Sequence, residues 1–265
     1  MKNLCLLLVL LIGLFGCGGE EDLLPPTSPE IQEADVTLAL WQTLPVEENN
    51  LQLLVTNTDP IDCINSNMVF DLSSTTTVID LEIMGFQAPP ACQVGDGFVT
   101  TTLDLSTVAE RFINLTNRGV LNEGKLGITD RAMNLSFLSQ DNFLIEESTL
   151  QRIPENLVWG YIDLTVDQSV DINMILQQEF PDLFIDANVT DMAPGYYGHF
   201  RFDMNPDIDR YVPTEIDGVT DFGQTMLFRL APDRWSDFSN FIVEASSRFG
   251  FSYNIFNAQG EVINN

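Results

Sequence analysis

The stretch Val78-Ile79-Asp80-Leu81-Glu82-Ile83-Met84 alternates aliphatic and acidic side chains. Successive side chains of a β-strand point to opposite faces, so this alternation predicts a strand that buries one face. Comparable short runs surround it, and turn signals such as Asp59-Pro60 and Pro89-Pro90 separate them; they cover residues 36–41, 51–56, 68–72 and 98–104. Strands at this spacing favour an antiparallel β-sandwich, to which we assign residues 36–150.

One segment departs from the two-residue period. Val108, Phe112 and Leu115 keep helical spacing, Ser106 is a good N-cap residue, and Gly119 can end a helix. The pattern therefore predicts a helix over residues 107–118.

The second half of the chain predicts a smaller α+β domain over residues 151–265. Residues 157–166, 197–203 and 224–230 read as strands, Pro232 opens a helix that carries apolar residues at spacings of three and four, and residues 251–255 alternate again. This order of elements is typical of an α+β unit. The predicted fold class is mainly β, a sandwich followed by an α+β unit, with a single large sandwich decorated by helices as the alternative.

The charge of the chain excludes one class of function. There are 39 acidic and 11 basic residues, which gives a formal net charge of -28. Such a surface repels phosphate backbones, so we expect no nucleic-acid partner. The chain contains 18 Phe and a single histidine, His199. The first fact predicts a true apolar core, and the second excludes histidine-cluster metal sites.

The N-terminus has the features of an export signal. Lys2 precedes an apolar run over residues 4–14, which is too short to span a bilayer but long enough for a signal peptide. The run ends in Leu14-Phe15-Gly16-Cys17, which resembles the lipobox of bacterial lipoproteins. An ordinary secretory signal is the alternative.

This resemblance implies that residues 1–16 are removed and that Cys17 carries the lipid that anchors the protein to the membrane. Gly18, where an Asp would favour the inner membrane, implies an outer-membrane destination. Residues 17–35 are rich in proline and acidic side chains, and we expect them to form a flexible tether.

The lipoprotein assignment also limits the disulfides. With Cys5 in the signal peptide and Cys17 acylated, only Cys63 and Cys92 remain. In an oxidising envelope compartment we expect these two to pair, which stabilises the fold by about 3 to 4 kcal/mol in the chain-entropy model. Two free, buried cysteines are the alternative.

An acidic loop follows the strand predicted at residues 197–203. Asp203, Asn205, Asp207 and Asp209 offer an oxygen ligand at every second position, and Ca²⁺ takes six to eight oxygens. The run resembles the start of the Asp-rich calcium loops, but Ile208 stands where an EF-hand needs glycine. It predicts a calcium site, and a solvated polar turn is the alternative.

Alternation in the same strand would place Tyr197, His199 and Arg201 on one face. A polar, aromatic face can bind a sugar or an anionic group, so these residues form a candidate ligand surface; an ordinary solvent face is the alternative.

No common catalytic motif occurs in the chain. We therefore expect a binding or assembly module of the outer membrane, with an envelope protein or a glycan as partner. Two alternatives remain, a polysaccharide hydrolase that uses two carboxylates and a surface module stabilised by calcium.

Overall fold

The computed structural model describes residues 31–46, 51–105, 110–164, 171–186, 189, 191–202, 208–209 and 224–265, and Ile31–Asn265 form one compact unit. The predicted signal peptide and Cys17, the predicted site of lipid attachment, lie outside these ranges. So do three members of the predicted calcium loop, Asp203, Asn205 and Asp207.

Strands make up most of the described chain, which confirms the predicted fold class. The strands are β1 Ile31–Gln32, β2 Val36–Gln42, β3 Leu51–Asn57, β4 Ile61–Cys63, β5 Asn67–Ser74, β6 Val78–Gln87, β7 Val94–Gly97, β8 Thr100–Asp104, β9 Arg111–Asn117, β10 Val120–Ile128, β11 Ala132–Phe137, β12 Phe143–Glu147, β13 Thr149–Gln151, β14 Leu157–Leu164, β15 Phe184–Asp186, β16 Gly195–Tyr196, β17 Arg201–Phe202, β18 Ile208–Asp209, β19 Gln224–Leu230, β20 Phe251–Asn257 and β21 Val262–Asn264. The described helices are α1 Ile172–Glu179 and α2 Trp235–Phe249, and Pro181–Leu183 form a 3₁₀ turn. Neither described helix is long and apolar enough to cross a bilayer.

Two sheets enclose the first apolar core. A ten-stranded sheet has the order β1-β6-β9-β10-β11-β13-β16-β17-β18, with β5 on the free side of β6, and a four-stranded sheet has the order β12-β2-β3-β8. Alternate residues of both sheets meet in one buried cluster, which includes Leu38, Leu53, Leu81 and Leu115. Most pairs are antiparallel, as predicted, but β6–β9, β2–β12 and β13–β16 are parallel.

The helix predicted over residues 107–118 is wrong in its described part. Strands β9 and β10 form a hairpin there, in which Asn117 pairs with Val120. Arg118 and Gly119 both have positive φ, at 51° and 74°, as the two central residues of a tight hairpin turn require. The strand turns Phe112 outward, where it is 61 % exposed, so its helical spacing from Leu115 does not reflect a shared buried face.

The C-terminal half forms a five-stranded sheet with the order β15-β19-β14-β20-β21. Helix α2 connects β19 to β20 and buries Phe238, Ile242 and Ala245 in the second apolar cluster. The helix ends at Gly250, whose φ of 69° is left-handed. These elements confirm the predicted α+β unit.

The disulfide between Cys63 and Cys92 is confirmed, with Cα atoms 5.6 Å apart. It lies beside the small sheet of β4 and β7 and connects β4 to the segment before β7.

The division into two domains at residues 150/151 stays a prediction. The first cluster draws almost all its members from residues 36–150, and the second draws almost all of its members from residues 153–258. The ten-stranded sheet, however, continues through β16, β17 and β18 from the C-terminal half.

Candidate ligand-binding cavity

In its described part, residues 197–202, the strand predicted over residues 197–203 is instead a turn followed by the second strand of a hairpin. Strands β16 and β17 pair through Tyr196 and Arg201, and the backbone N–H of Tyr197 donates to the carbonyl of Phe200 over 2.9 Å. Gly198 has a φ of 82°, a backbone conformation that glycine adopts more readily than other residues. A turn therefore interrupts the alternation on which the candidate ligand surface was based.

The turn separates the three predicted surface residues. Tyr197 is buried, stacks on Phe200 at 4.9 Å between ring centroids, and donates its hydroxyl to the carbonyl of Ala193 over 2.8 Å. Burial raises the pKa of Tyr197 to about 12. Arg201 is exposed and forms an ion pair with Glu147. The prediction that alternation places these three residues on one face of a strand is wrong.

His199 lies between two tryptophans that belong to different sheets. Its ring centroid is 4.4 Å from that of Trp41 in β2 and 5.8 Å from that of Trp159 in β14. Its Nε2 lies 2.9 Å from the carbonyl oxygen of Gln42. Burial lowers the pKa of His199, and the hydrogen bond to Gln42 offsets part of this effect.

A cavity of about 540 Å³ opens beside this turn, and Tyr197 is part of its wall. Its volume falls in the range of small-molecule sites. Five segments of the chain supply the wall: Gln42 with Val46, Asp130 with Arg131, residues 151–155, residues 191–193 with Tyr197, and Arg229.

Three of the 11 basic residues of this acidic chain line the cavity. Arg131 and Arg152 are cross-strand neighbours, because the backbone N–H of Arg152 donates to the carbonyl of Arg131 over 2.8 Å, one position beyond the β11–β13 pair. Like charges opposite each other on neighbouring strands repel each other, and the carboxylates of Asp130 and Glu155 line the same cavity.

The third arginine comes from the other half of the chain. Arg229 lies in β19 and its Nη2 is 2.9 Å from Oδ1 of Asp191. The buried Nε of Arg229 has no hydrogen-bond acceptor among the described residues. Its guanidinium thus keeps donor capacity beyond its ion pair.

Gln42 is the most unusual residue of the wall. It is only 2 % exposed at the end of β2, and its Oε1 has no donor anywhere in the described part of the chain. A buried acceptor without a partner costs about 1 to 3 kcal/mol. The lining therefore combines guanidinium donors with a buried carbonyl oxygen that has no donor among the described residues.

The predicted calcium site stays a prediction. Of its four residues only Asp209 is described, in β18, where its backbone pairs with that of Arg201. The described residues contain no group of three or more His, Cys, Asp or Glu arranged to hold a metal ion.

The sequence did not identify this cavity, because its lining residues are far apart along the chain. The one available signal was the small number of basic residues. In so acidic a chain, each arginine that is not in an evident surface ion pair is a candidate for binding an anionic ligand. Comparison with protein-family models, with curated proteins and with solved structures finds no match to this chain.

Proposed function

We propose that this chain is a lipid-anchored outer-membrane protein that binds a ligand in the cavity lined by Gln42 and the three arginines. The buried Oε1 of Gln42, which lacks a donor among the described residues, carries the binding role. A buried acceptor without a donor lowers the stability of the unliganded protein. A binding protein can keep such a group because the ligand supplies the missing hydrogen bond. The lipobox at Leu14–Cys17 supports the anchor.

The anchor is tested by mass spectrometry of the mature protein from a bacterial host. We expect an N-terminal Cys17 that carries a diacylglyceryl group and an additional acyl chain. Globomycin should cause the precursor to accumulate. An unmodified thiol at Cys17 would refute the lipoprotein assignment and leave the cavity proposal standing.

The binding role is tested by affinity capture from envelope extracts. Ala193 is exposed and lines the cavity, so Ala193→Trp narrows it without replacing a buried side chain. Ala91 is a matched control, because it too is exposed and its carbonyl accepts a side-chain hydrogen bond, but it lies beside the disulfide. Material captured by the wild type and by Ala91→Trp, but not by Ala193→Trp, is the expected result. Equal capture by all three would contradict the proposal.

A polysaccharide hydrolase is the second candidate, and one observation favours it. The carboxylates of Asp130, Glu155 and Asp191 line the same cavity. A hydrolase that uses two carboxylates needs an acid and a base or nucleophile on either side of the scissile bond. Release of reducing ends from captured glycan, lost in one of the three carboxylate-to-amide variants, would replace binding by catalysis as the function.

A further inference from the structure

The lining of the cavity restricts the chemistry of its ligand, if the cavity binds one as proposed above. Arg131 and Arg152 are cross-strand neighbours, and Arg229 has a donor without an acceptor among the described residues. Arginine binds carboxylate and phosphate oxygens through paired N–H donors. The ligand should therefore carry an anionic oxygen group.

The same wall also presents hydrogen-bond acceptors to a ligand. Gln42 presents a buried acceptor that has no donor in the described part of the chain, and Asp130, Glu155 and Asp191 add carboxylates that only accept when ionised. An anion without hydroxyl or amine groups would satisfy the arginines and leave Oε1 of Gln42 unpaired. The ligand should therefore combine an anionic group with several hydroxyls.

The charges in the wall favour a singly charged anionic group. Three carboxylates, of Asp130, Glu155 and Asp191, line the cavity together with the three arginines, so the wall has little net positive charge with which to balance a doubly charged group. A carboxylate is singly charged at neutral pH, whereas a phosphate monoester carries between one and two charges.

We infer that the ligand is an acidic saccharide, whose carboxylate binds the arginines of the cavity and whose hydroxyls donate to Gln42 and the neighbouring carboxylates. The lining residues Asp130, Arg131, Glu155 and Asp191 are exposed, so the sugar reaches the cavity from solvent.

Calorimetric titration of the full chain with trigalacturonate tests this inference. Two matched probes separate the two chemical requirements: the methyl-esterified trisaccharide keeps the hydroxyls and loses the charge, and propane-1,2,3-tricarboxylate keeps the charge and has no hydroxyl. We expect saturable binding of trigalacturonate that is at least tenfold tighter than binding of either probe. Inorganic sulfate should not compete.

Three variants place the binding in the cavity. Arg229→Gln and Gln42→Met should each weaken trigalacturonate binding at least tenfold. Arg118→Gln is the matched control, because Arg118 also forms an ion pair of 2.9 Å, with Asp35, but lies outside the cavity; its affinity should not change. Thermal melts of each variant check that the fold is retained. Ala193→Trp is a further variant that should block the cavity, and it replaces no buried side chain.

Three results would overturn the inference. Equal affinity for the esterified sugar removes the role of charge, equal affinity for the tricarboxylate removes the role of the hydroxyls, and the absence of trigalacturonate binding removes the ligand class. None of these affects the envelope capture experiment. If Ala193→Trp still abolishes capture there, the cavity binds another ligand and only the acidic saccharide is refuted.

Discussion

Replacement of Gln42 by methionine should make the unliganded protein more stable. Methionine has a similar unbranched shape but carries no carbonyl oxygen that requires a donor. The side chain is 2 % exposed, and its Oε1 has no donor among the described residues, so the wild type carries the cost of a buried, unpaired acceptor. Removal of that oxygen should recover about 1 to 2 kcal/mol of the free energy of unfolding.

Urea unfolding followed by tryptophan fluorescence and by circular dichroism measures this change. The chain has 3 Trp, and one of them, Trp41, is the neighbour of Gln42 in β2. A domain of this size gains about 2 to 4 °C in Tm per kcal/mol, so Gln42→Met should melt about 2 to 8 °C higher.

Asn117→Leu is the matched control. Asn117 is buried to the same degree, but its amide donates to the carbonyls of Ala34 and Asn142 over 3.2 and 2.7 Å. Its replacement leaves two acceptors without their donor and should lower the free energy of unfolding by about 1 to 3 kcal/mol. If Gln42→Met proves as unstable as Asn117→Leu, or leaves stability unchanged, Oε1 is satisfied in the unliganded protein. The main argument for the ligand site then fails.

Three further predictions concern the fold. The pKa of His199 is lowered in the folded protein, so the unfolded chain binds a proton there more readily; the contribution of His199 to stability is complete above pH 6.5 and should be lost as the pH falls through the folded pKa. His199→Gln should remove this part of the pH dependence. If the difference in free energy of unfolding between pH 7 and pH 5 is the same in the variant and the wild type, His199 is not its source. Gly160→Ala in β14 should lower the free energy of unfolding by at least about 2 kcal/mol, because Gly160 has a φ of 156° and a Cβ would lie 2.5 Å from the carbonyl oxygen of Asn254. Equal stability of the variant and the wild type in urea would show that β14 and β20 can move apart enough to hold the Cβ. Joint replacement of Cys63 and Cys92 by serine should lower the free energy of unfolding by about 3 to 4 kcal/mol for a bridge across 29 positions, and equal stability of the oxidised and serine forms would refute a role in the fold.

Local patterns predicted many of the elements. Residues 224–230 and the helix that begins near Trp235 were assigned correctly, because alternation in the strand and apolar spacing in the helix both reflect one buried face. The N-terminal half of the predicted α+β unit shows the same agreement at β14. These assignments need no information about distant residues.

The same patterns failed where a turn changed the direction of the chain. Residues 111–117 have spacings that suit either a helix or a strand, and the positive φ at Arg118 and Gly119 determines that a hairpin forms. At residues 197–200 the tight turn around Gly198 ends the alternation and buries Tyr197. Turn geometry at one or two residues thus reversed the expected direction of several side chains.

The amino-acid sequence by itself predicted the β-rich class, the α+β unit, a disulfide between Cys63 and Cys92 and a lipid anchor, because each follows from neighbouring residues or from a count. Only the tertiary structure decided where a ligand could bind. Gln42, Arg131, Arg152 and Arg229 meet because strands from separate parts of the chain end at one cavity. The unpaired Oε1 of Gln42 acquires an energetic cost only because the fold removes it from water, and no local pattern records that cost.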